Sequence, residues 1–292
     1  MPHILTLIAD LGATSLTPAV IARVRDAVAG GEPVVLSDAE AVDIPLAAPP
    51  DPAALRAALG DAAIDAIATP AEGRRKMLLI ADMDSTIITG ETLDELADFA
   101  GLMDRISAIT ARAMNGELDF RTALRERVAM LRGLPVQALE QTWQRVRLTA
   151  GARELVATMR AHGALAALVS GGFSYFTARV AVLCGFDLHH SNMLLDDGAV
   201  LTGQVSEPIL DRDTKLETLT TLAGERGLPM SATLAVGDGA NDLDMLRAAG
   251  LGVAFHAKPI VAASSRARVD HANLRALLFA QGYRAAEFVG EA

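Results

Sequence analysis

The sequence predicts an α/β protein with a parallel sheet, and three observations carry that expectation. Short apolar runs without helical period recur at Met77 to Ala81, Ala164 to Val169, Ala232 to Val236 and Leu251 to Phe255. Such runs read as strands buried on both faces, as in parallel sheets covered by helices. Segments with helical punctuation stand between them, and the first three runs end in acids or in serine and glycine. In an open α/β sheet, ligands bind in the crevice outside the carboxyl ends of the strands. The stretch Met77 to Thr86, MLLIADMDST, shows this best, because its apolar run ends in Asp82 and Asp84. Alternation along an extended chain points both carboxyl groups the same way and turns Met83 inward. With Ser85 and Thr86 behind them, they can cradle a divalent cation and a phosphate. The alternative is a strand end whose aspartates cap the next helix.

Before that strand, residues 1 to about 70 form a unit of their own. His3 to Ile8, Pro33 to Leu36, Ala41 to Leu46 and Ile64 to Ala68 read as strands. Pro18 to Val28 reads as a helix closed by Gly30-Gly31, and Pro52 to Leu59 as a second with Asp51 as N-cap. The order β-α-β-β-α-β is that of a ferredoxin-like sandwich. It contains no acid pair or phosphate loop, so a regulatory or association role is expected, or simple packing against the rest.

After the D-x-D strand, Glu91 to Ala100, Met103 to Met114, Phe120 to Leu131 and Val136 to Arg147 read as successive helices. Asn115-Gly116 and Gly133-Leu134-Pro135 mark turns between them. A helical insertion at this place would sit over the carboxyl edge, where a lid belongs. The α/β pattern resumes at Gly151 with a helix from Ala152 to His162. The strand Ala164 to Val169 then closes in Ser170-Gly171-Gly172, and a helix starts near Phe173. Serine and glycines between strand and helix expose backbone N–H groups to a phosphate oxygen. Residues 192 to 210 read as a hairpin turning at Asp197-Gly198. Lys215 falls in the first turn of the next helix, capped by Asp213 or a neighbour, where its charge opposes the helix dipole. The last strand end, Gly237-Asp238-Gly239-Ala240-Asn241-Asp242, offers hard oxygen ligands on a glycine-loosened loop, a set that suits magnesium.

Composition narrows the function classes. Hydrophobic residues make up 51% of the 292, with only 4% aromatic, so a sizeable core is built from aliphatic side chains. The net charge of −10 argues against binding to the phosphate backbone of a nucleic acid. The single cysteine, Cys184, sits in an apolar segment and reads as a buried small hydrophobe. No apolar run is long enough to span a membrane. The N-terminus, MPHILTLIAD, has no basic region and does not read as a secretory signal, so a cytoplasmic enzyme is expected.

DMDST, VSGG, Lys215 and GDGAND, in this order and spacing, resemble the four motifs of the haloacid-dehalogenase superfamily, and within it the phosphoserine phosphatase family. The likeness covers about residues 76 to 280 and includes the segment LDFRTALRERV, 118 to 128. It implies a Rossmann-like core at 76–89 and 151–285 with a helical cap at 90–150. Residues 1–72 resemble the ACT-like domain attached to bacterial members, on element order alone. The resemblance further implies Mg2+ held by Asp82, the Asp84 carbonyl and Asp238, with Asp242 and Asn241 orienting water and neighbouring ligands. Asp82 would be the nucleophile that forms an aspartyl-phosphate, and Asp84 the acid and base. Lys215, Ser170 and Gly171 would receive the phosphate, while Glu91 and Arg127 would read the ammonium and carboxylate of O-phospho-L-serine beside Met114 and Phe120. Rival readings are another small phosphomonoester, phosphoryl transfer to an acceptor such as homoserine, haloacid dehalogenation, and a silent amino-acid-binding regulator. A homodimer is compatible with the sequence.

Overall fold

A computed structural model describes residues 1–114 and 117–290, apart from the side chains of Ala111, Ala113 and Met114, so the Asn115-Gly116 turn lies outside the described residues. The first four strands are β1 (His3–Ala9), β2 (Val34–Ser37), β3 (Ala41–Leu46) and β4 (Ile64–Pro70). They form an antiparallel sheet in the order β2-β3-β1-β4. Helices α1 (Pro18–Ala27) and α2 (Pro52–Leu59) pack on it through Val24 and Ala58, as the element order predicts. Both start where local chemistry directs: Thr17 and Asp51 accept backbone N–H bonds as N-caps, and a proline opens each helix.

The second sheet carries the site. Its first strand is β5 (Leu78–Ala81), fully buried as an uninterrupted apolar run requires. Four helices follow: α3 (Thr92–Phe99), α4 (Met103–Met114), α5 (Phe120–Ala129) and α6 (Gln137–Trp143). The last is shorter than its sequence pattern suggests. Thr89 N–H donates to the Arg147 carbonyl and Thr149 N–H to that of Ile87, with Ile88 bridging Leu148. The two linkers of the helical block thus pair as antiparallel strands, and that pairing draws residues 145–149 out of the helix.

Helix α7 (Ala152–Ala161) leads into β6 (Leu165–Phe173), and α8 (Ser174–Cys184) into β7 (Leu188–Asn192). The hairpin is β8 (Leu194–Asp196) and β9 (Leu201–Val205), turned at Gly198 with φ of 91°. Then come α9 (Arg212–Glu225), β10 (Thr233–Gly237), α10 (Leu243–Ala248), β11 (Leu251–Phe255), α11 (Pro259–Ser264), β12 (Ala267–Val269) and α12 (Ala276–Ala280). The sheet runs β12-β11-β10-β5-β6-β7, with all described pairs parallel. The order steps outward from β5 in both directions, which places a topological switch point at the ends of β5, β6 and β10.

Two strands escape the sequence reading. β7 is the polar stretch LHHSN at the sheet edge, and β12 has three residues. Ser170-Gly171-Gly172 also differs from the expected turn. It continues β6 through a register shift between Val169 and Phe173, because Phe173 pairs with Asn192 of β7. A bulge of this kind re-aims a strand end, which is common beside active sites.

Candidate active site

Asp82 stands one residue beyond β5, tied to the sheet by its N–H, which donates to the Val236 carbonyl. Met83 turns fully inward, as alternation predicts. Asp84 stays extended, with φ of −65° and ψ of 137°, and Ser85 adopts the left-handed region with φ of 54°. That bend, costly for a residue with a Cβ, lifts the chain out of the strand direction toward α3. The hydroxyl of Thr86 is buried and has no hydrogen-bond partner among the described residues.

Lys215 lies in the first turn of α9, whose N-cap is Asp211, and its side chain is only 2% exposed. Its Nζ lies 2.8 Å from Asp82 Oδ1 and 2.6 Å from Asp242 Oδ1. Burial alone would lower the ammonium's pKa, yet the two carboxylates outweigh it and raise it. The other Asp242 oxygen accepts the Gly239 N–H at 2.9 Å. A Cβ on Gly237 would collide with this Asp242 side chain, so only glycine fits at the end of β10.

Asp82, Asp238 and Asp242 each offer a carboxylate oxygen, all within 4.8 Å of one another. Burial pushes Asp82 well above the ordinary carboxylate range, with Asp242 adding to the rise and Lys215 opposing it. Burial, reinforced by Asp242, raises Asp238 to about 6. Three buried acids facing one buried ammonium form a hard-oxygen set short of positive charge. This donor set fits a small divalent cation. Asp242 already spends both oxygens on Lys215 and Gly239, whereas Asp82 engages only its Oδ1, with Lys215 and the Met83 N–H.

Asp84 belongs to the same pocket. Its Oδ1 accepts the Thr92 N–H at 2.7 Å, and its Oδ2 lies 3.5 Å from Ser170 Oγ. Burial, and next the negative charge of Glu91, raise its carboxyl to about 7. The two neighbouring carboxyl groups differ in their partners: Asp82 is salt-bridged to Lys215, while Asp84 faces Thr92 and Ser170. Ser170 Oγ accepts the Gly172 N–H at 2.9 Å. Phe120, at the start of α5, rests over Gly171, 3.1 Å from where a Cβ would stand.

The helical block brings its own residues over this floor. Glu91 accepts the Ser85 hydroxyl at 2.8 Å. Arg127 is half-buried, and its Nε donates to the Ala123 carbonyl at 3.3 Å. Burial lowers its pKa while Asp94 and Glu91 raise it, yet among the described residues no carboxylate forms an ion pair with it. Asn241 sits half-buried beside Gly239. The side chain of Met114 lies outside the described residues.

Sequence reasoning missed three neighbours. Asn192 donates to the Gly171 carbonyl at 2.8 Å and accepts the Leu210 N–H at 2.8 Å, pinning the serine–glycine segment. Lys258 lies 3.8 Å from Asp238 Oδ2, and Thr92 holds Asp84. Lys258 had a usable signal, since it precedes a proline after the fourth apolar run. Asn192 had none, because a single amide ending a polar stretch is unremarkable in sequence.

Residues 79–247 match the haloacid dehalogenase-like hydrolase family. Phosphoserine phosphatase of Archaeoglobus fulgidus is 43% identical over 201 residues, which cover 69% of this chain and 58% of that protein. Its counterpart in Lactococcus lactis is 43% identical over 203 residues, 70% of this chain and 94% of the relative. Among solved structures, a probable phosphoserine phosphatase from Vibrio cholerae, in unliganded form, superposes with a TM-score of 0.80 at 33% identity. That match covers 98% of this chain and 88% of the other. The matched segment runs from the strand that delivers Asp82 to the helix after Asp242, and with relatives this similar along it the chain belongs to the haloacid dehalogenase-like hydrolase family.

Proposed function

We propose that this chain hydrolyses O-phospho-L-serine to L-serine and phosphate, the last step of serine biosynthesis, through a phosphorylated Asp82. The observation that carries this reading is the geometry of the acid pair: Asp82 sits 2.8 Å from Lys215, while Asp84 is held by the Thr92 N–H with its other oxygen 3.5 Å from Ser170 Oγ. In the first half-reaction Asp82 attacks phosphorus, so an Asp82 O–P bond forms as the ester O–P bond breaks. The Asp84 proton passes to the departing serine oxygen. In the second half-reaction Asp84, now ionised, takes a proton from water as that water attacks phosphorus and Asp82 is released.

Repulsion opposes the first step. An anionic carboxylate about 4 Å from one phosphate oxygen meets roughly 4 kcal/mol at an effective dielectric near 20. Lys215 and the N–H groups around Ser170 and Gly171 offset it and hold the transferring phosphoryl group. Mg2+ would be held by the Asp82 carboxylate, the Asp84 backbone carbonyl and Asp238, and when bound it supplies further positive charge there. Asp242 fixes Lys215, and Asn241 orients neighbouring groups.

Glu91 and Arg127 are assigned to the substrate's ammonium and carboxylate, with Met114 and Phe120 as the apolar wall. The half-buried guanidinium of Arg127, without an ion pair among the described residues, supports this, since its fork matches a carboxylate. We assign residues 90–150 as the cap over a core of 76–89 and 151–285, and residues 1–72 as an ACT-like unit. The antiparallel sheet and its two helices support that division. Among the described residues no helix is long and apolar enough to cross a membrane, and we assign the enzyme to the cytoplasm.

The test is phosphate release from O-phospho-L-serine, with Mg2+ and with chelator, beside other small phosphomonoesters and with homoserine as a rival acceptor. Metal-dependent preference for phosphoserine, with water as acceptor, is the expected result. Arg127→Ala should raise KM for phosphoserine at least about tenfold, the scale of one lost charged contact, and spare an aryl phosphate. Activity confined to other esters would overturn the substrate, and equal effects on both substrates would remove Arg127 from recognition.

A further inference from the structure

The three acids of the cluster do not share their counter-charge equally. Asp82 and Asp242 both pair with the buried Lys215. Asp238 is 5% exposed, yet among the described residues its carboxylate accepts no hydrogen bond, and its one ion-pair partner is Lys258, with Nζ 3.8 Å from Oδ2. A withdrawn carboxylate is costly unless a cation or donor faces it. In the metal-free protein that cation is Lys258.

Lys258 is placed there by its backbone. Its N–H donates to the Asp238 carbonyl at 3.1 Å, and its own carbonyl accepts the Val261 and Ala262 N–H groups at the start of α11. Two residues earlier, His256 takes the left-handed region with φ of 42°, which costs free energy for a residue with a Cβ. Three contacts hold that bend. The His256 N–H donates to the Val269 carbonyl, its Nε2 lies 2.8 Å from the Ala272 carbonyl, and its ring stacks on Phe255 with centroids 4.2 Å apart. A strained and anchored turn thus carries the lysine to the rim of the acid cluster. Its side chain is 51% exposed, and the flexible four-carbon stem lets the ammonium turn out into water.

We propose that Lys258 is the built-in counter-ion of Asp238: its ammonium balances that carboxylate in the metal-free protein and gives way when a divalent cation binds, which sets the affinity of the cation site. The inference rests on the assignment of Asp238 as a metal ligand above. Two effects act in the same direction. The ion pair with Asp238 is lost as the cation arrives, and the ammonium repels the cation from nearby, so Lys258 weakens Mg2+ binding from outside the ligand set. Lys215 is unsuited to this task, because it is enclosed between two carboxylates and has no route to water.

The test reads the cation without turnover. Mg2+ is titrated by calorimetry into the full chain, with no substrate present, for the wild type, Lys258→Met and Lys258→Arg. Lys258→Met keeps an unbranched stem and removes the charge. Its Kd for Mg2+ should fall about fivefold, equivalent to ~1 kcal/mol, the upper value for an exposed ion pair. Lys258→Arg retains the charge and should bind Mg2+ like the wild type. Melting gives a second readout: Lys258→Met should melt below the wild type in chelator, and no longer below it in saturating Mg2+. An unchanged or raised Kd in Lys258→Met would overturn the proposal, as would equally tight binding by Lys258→Arg. A melting difference that Mg2+ leaves in place would reduce Lys258 to a structural contact.

Asp238→Asn measured alongside separates the two levels. If it binds Mg2+ as tightly as the wild type, the metal assignment fails and the proposal with it. If it loses Mg2+ while Lys258→Met binds with unchanged Kd, only the Lys258 inference fails.

Discussion

Lys215 holds a charge where water does not reach, and its two partners, Asp82 and Asp242, are equally withdrawn. Its removal would strand two buried carboxylates, which is far costlier than losing an exposed pair. Lys215→Met should therefore destabilise the protein by about 3–5 kcal/mol, the range for breaking a buried ion pair. It should also abolish phosphate release, and denaturant unfolding beside the activity assay checks both. A stable, inactive variant would show that Lys215 serves only the chemistry. Asp82, Asp84 and Asp238 were legible in sequence because each stands at a strand end, and Lys215 because its charge opposes the dipole of the helix whose first turn it occupies. Thr92 and Asn192 were not, since a backbone N–H and a distant amide leave no pattern in residue type.

At the level of elements, β6 decides how the floor of the site is shaped. Its apolar run was plain in sequence, but its continuation through Ser170-Gly171-Gly172 depends on pairing with β7, a polar edge strand that no periodicity reveals. Likewise α6 ends early because its expected last turn pairs with the opposite linker, a contact across about sixty residues of chain. The four helices over the floor were read correctly in number and order, since each has its own apolar stripe and turn. Gly172 shows what β6 requires. A Cβ there would stand 2.8 Å from Asp84 Oδ2 and 3.1 Å from Ser170 Oγ, closer than side-chain carbons ordinarily approach. Gly172→Ala should push the Asp84 carboxyl group aside and lower kcat for phosphoserine by about tenfold to a hundredfold, as for a misplaced acid. The melting temperature should move little, because β6 keeps its pairing; an unchanged kcat would mean that Asp84 tolerates displacement.

Across the whole molecule, the N-terminal sheet is fastened to the catalytic core by buried polar contacts between residues far apart in sequence. Asp65 accepts the N–H groups of Asp270, His271 and Ala272. Arg74 pairs with Asp43 and donates to the Phe279 and Ala280 carbonyls. Element order could predict each unit but not this joint, which arises only once both have folded. The charge balance of the assembled site then governs how the whole chain responds to pH. Asp84 is raised to about 7 and Asp238 to about 6, both from 3.8, and Asp82 is raised as well. Between about pH 4 and 7 the folded, metal-free protein therefore keeps protons that the unfolded chain has released. Since the folded state binds more protons, these groups make stability fall as pH rises through that window. Mg2+ at the proposed site would oppose that slope, because it would compete with protons for the carboxylates. Melting in chelator should decline from about pH 4 toward 7, and Asp84→Asn should flatten part of that decline. The stabilisation by Mg2+ should grow over the same range, reaching about 2.7 kcal/mol at a concentration a hundred times its Kd. A Mg2+ effect that stays constant with pH would mean that the cation binds away from Asp82 and Asp238.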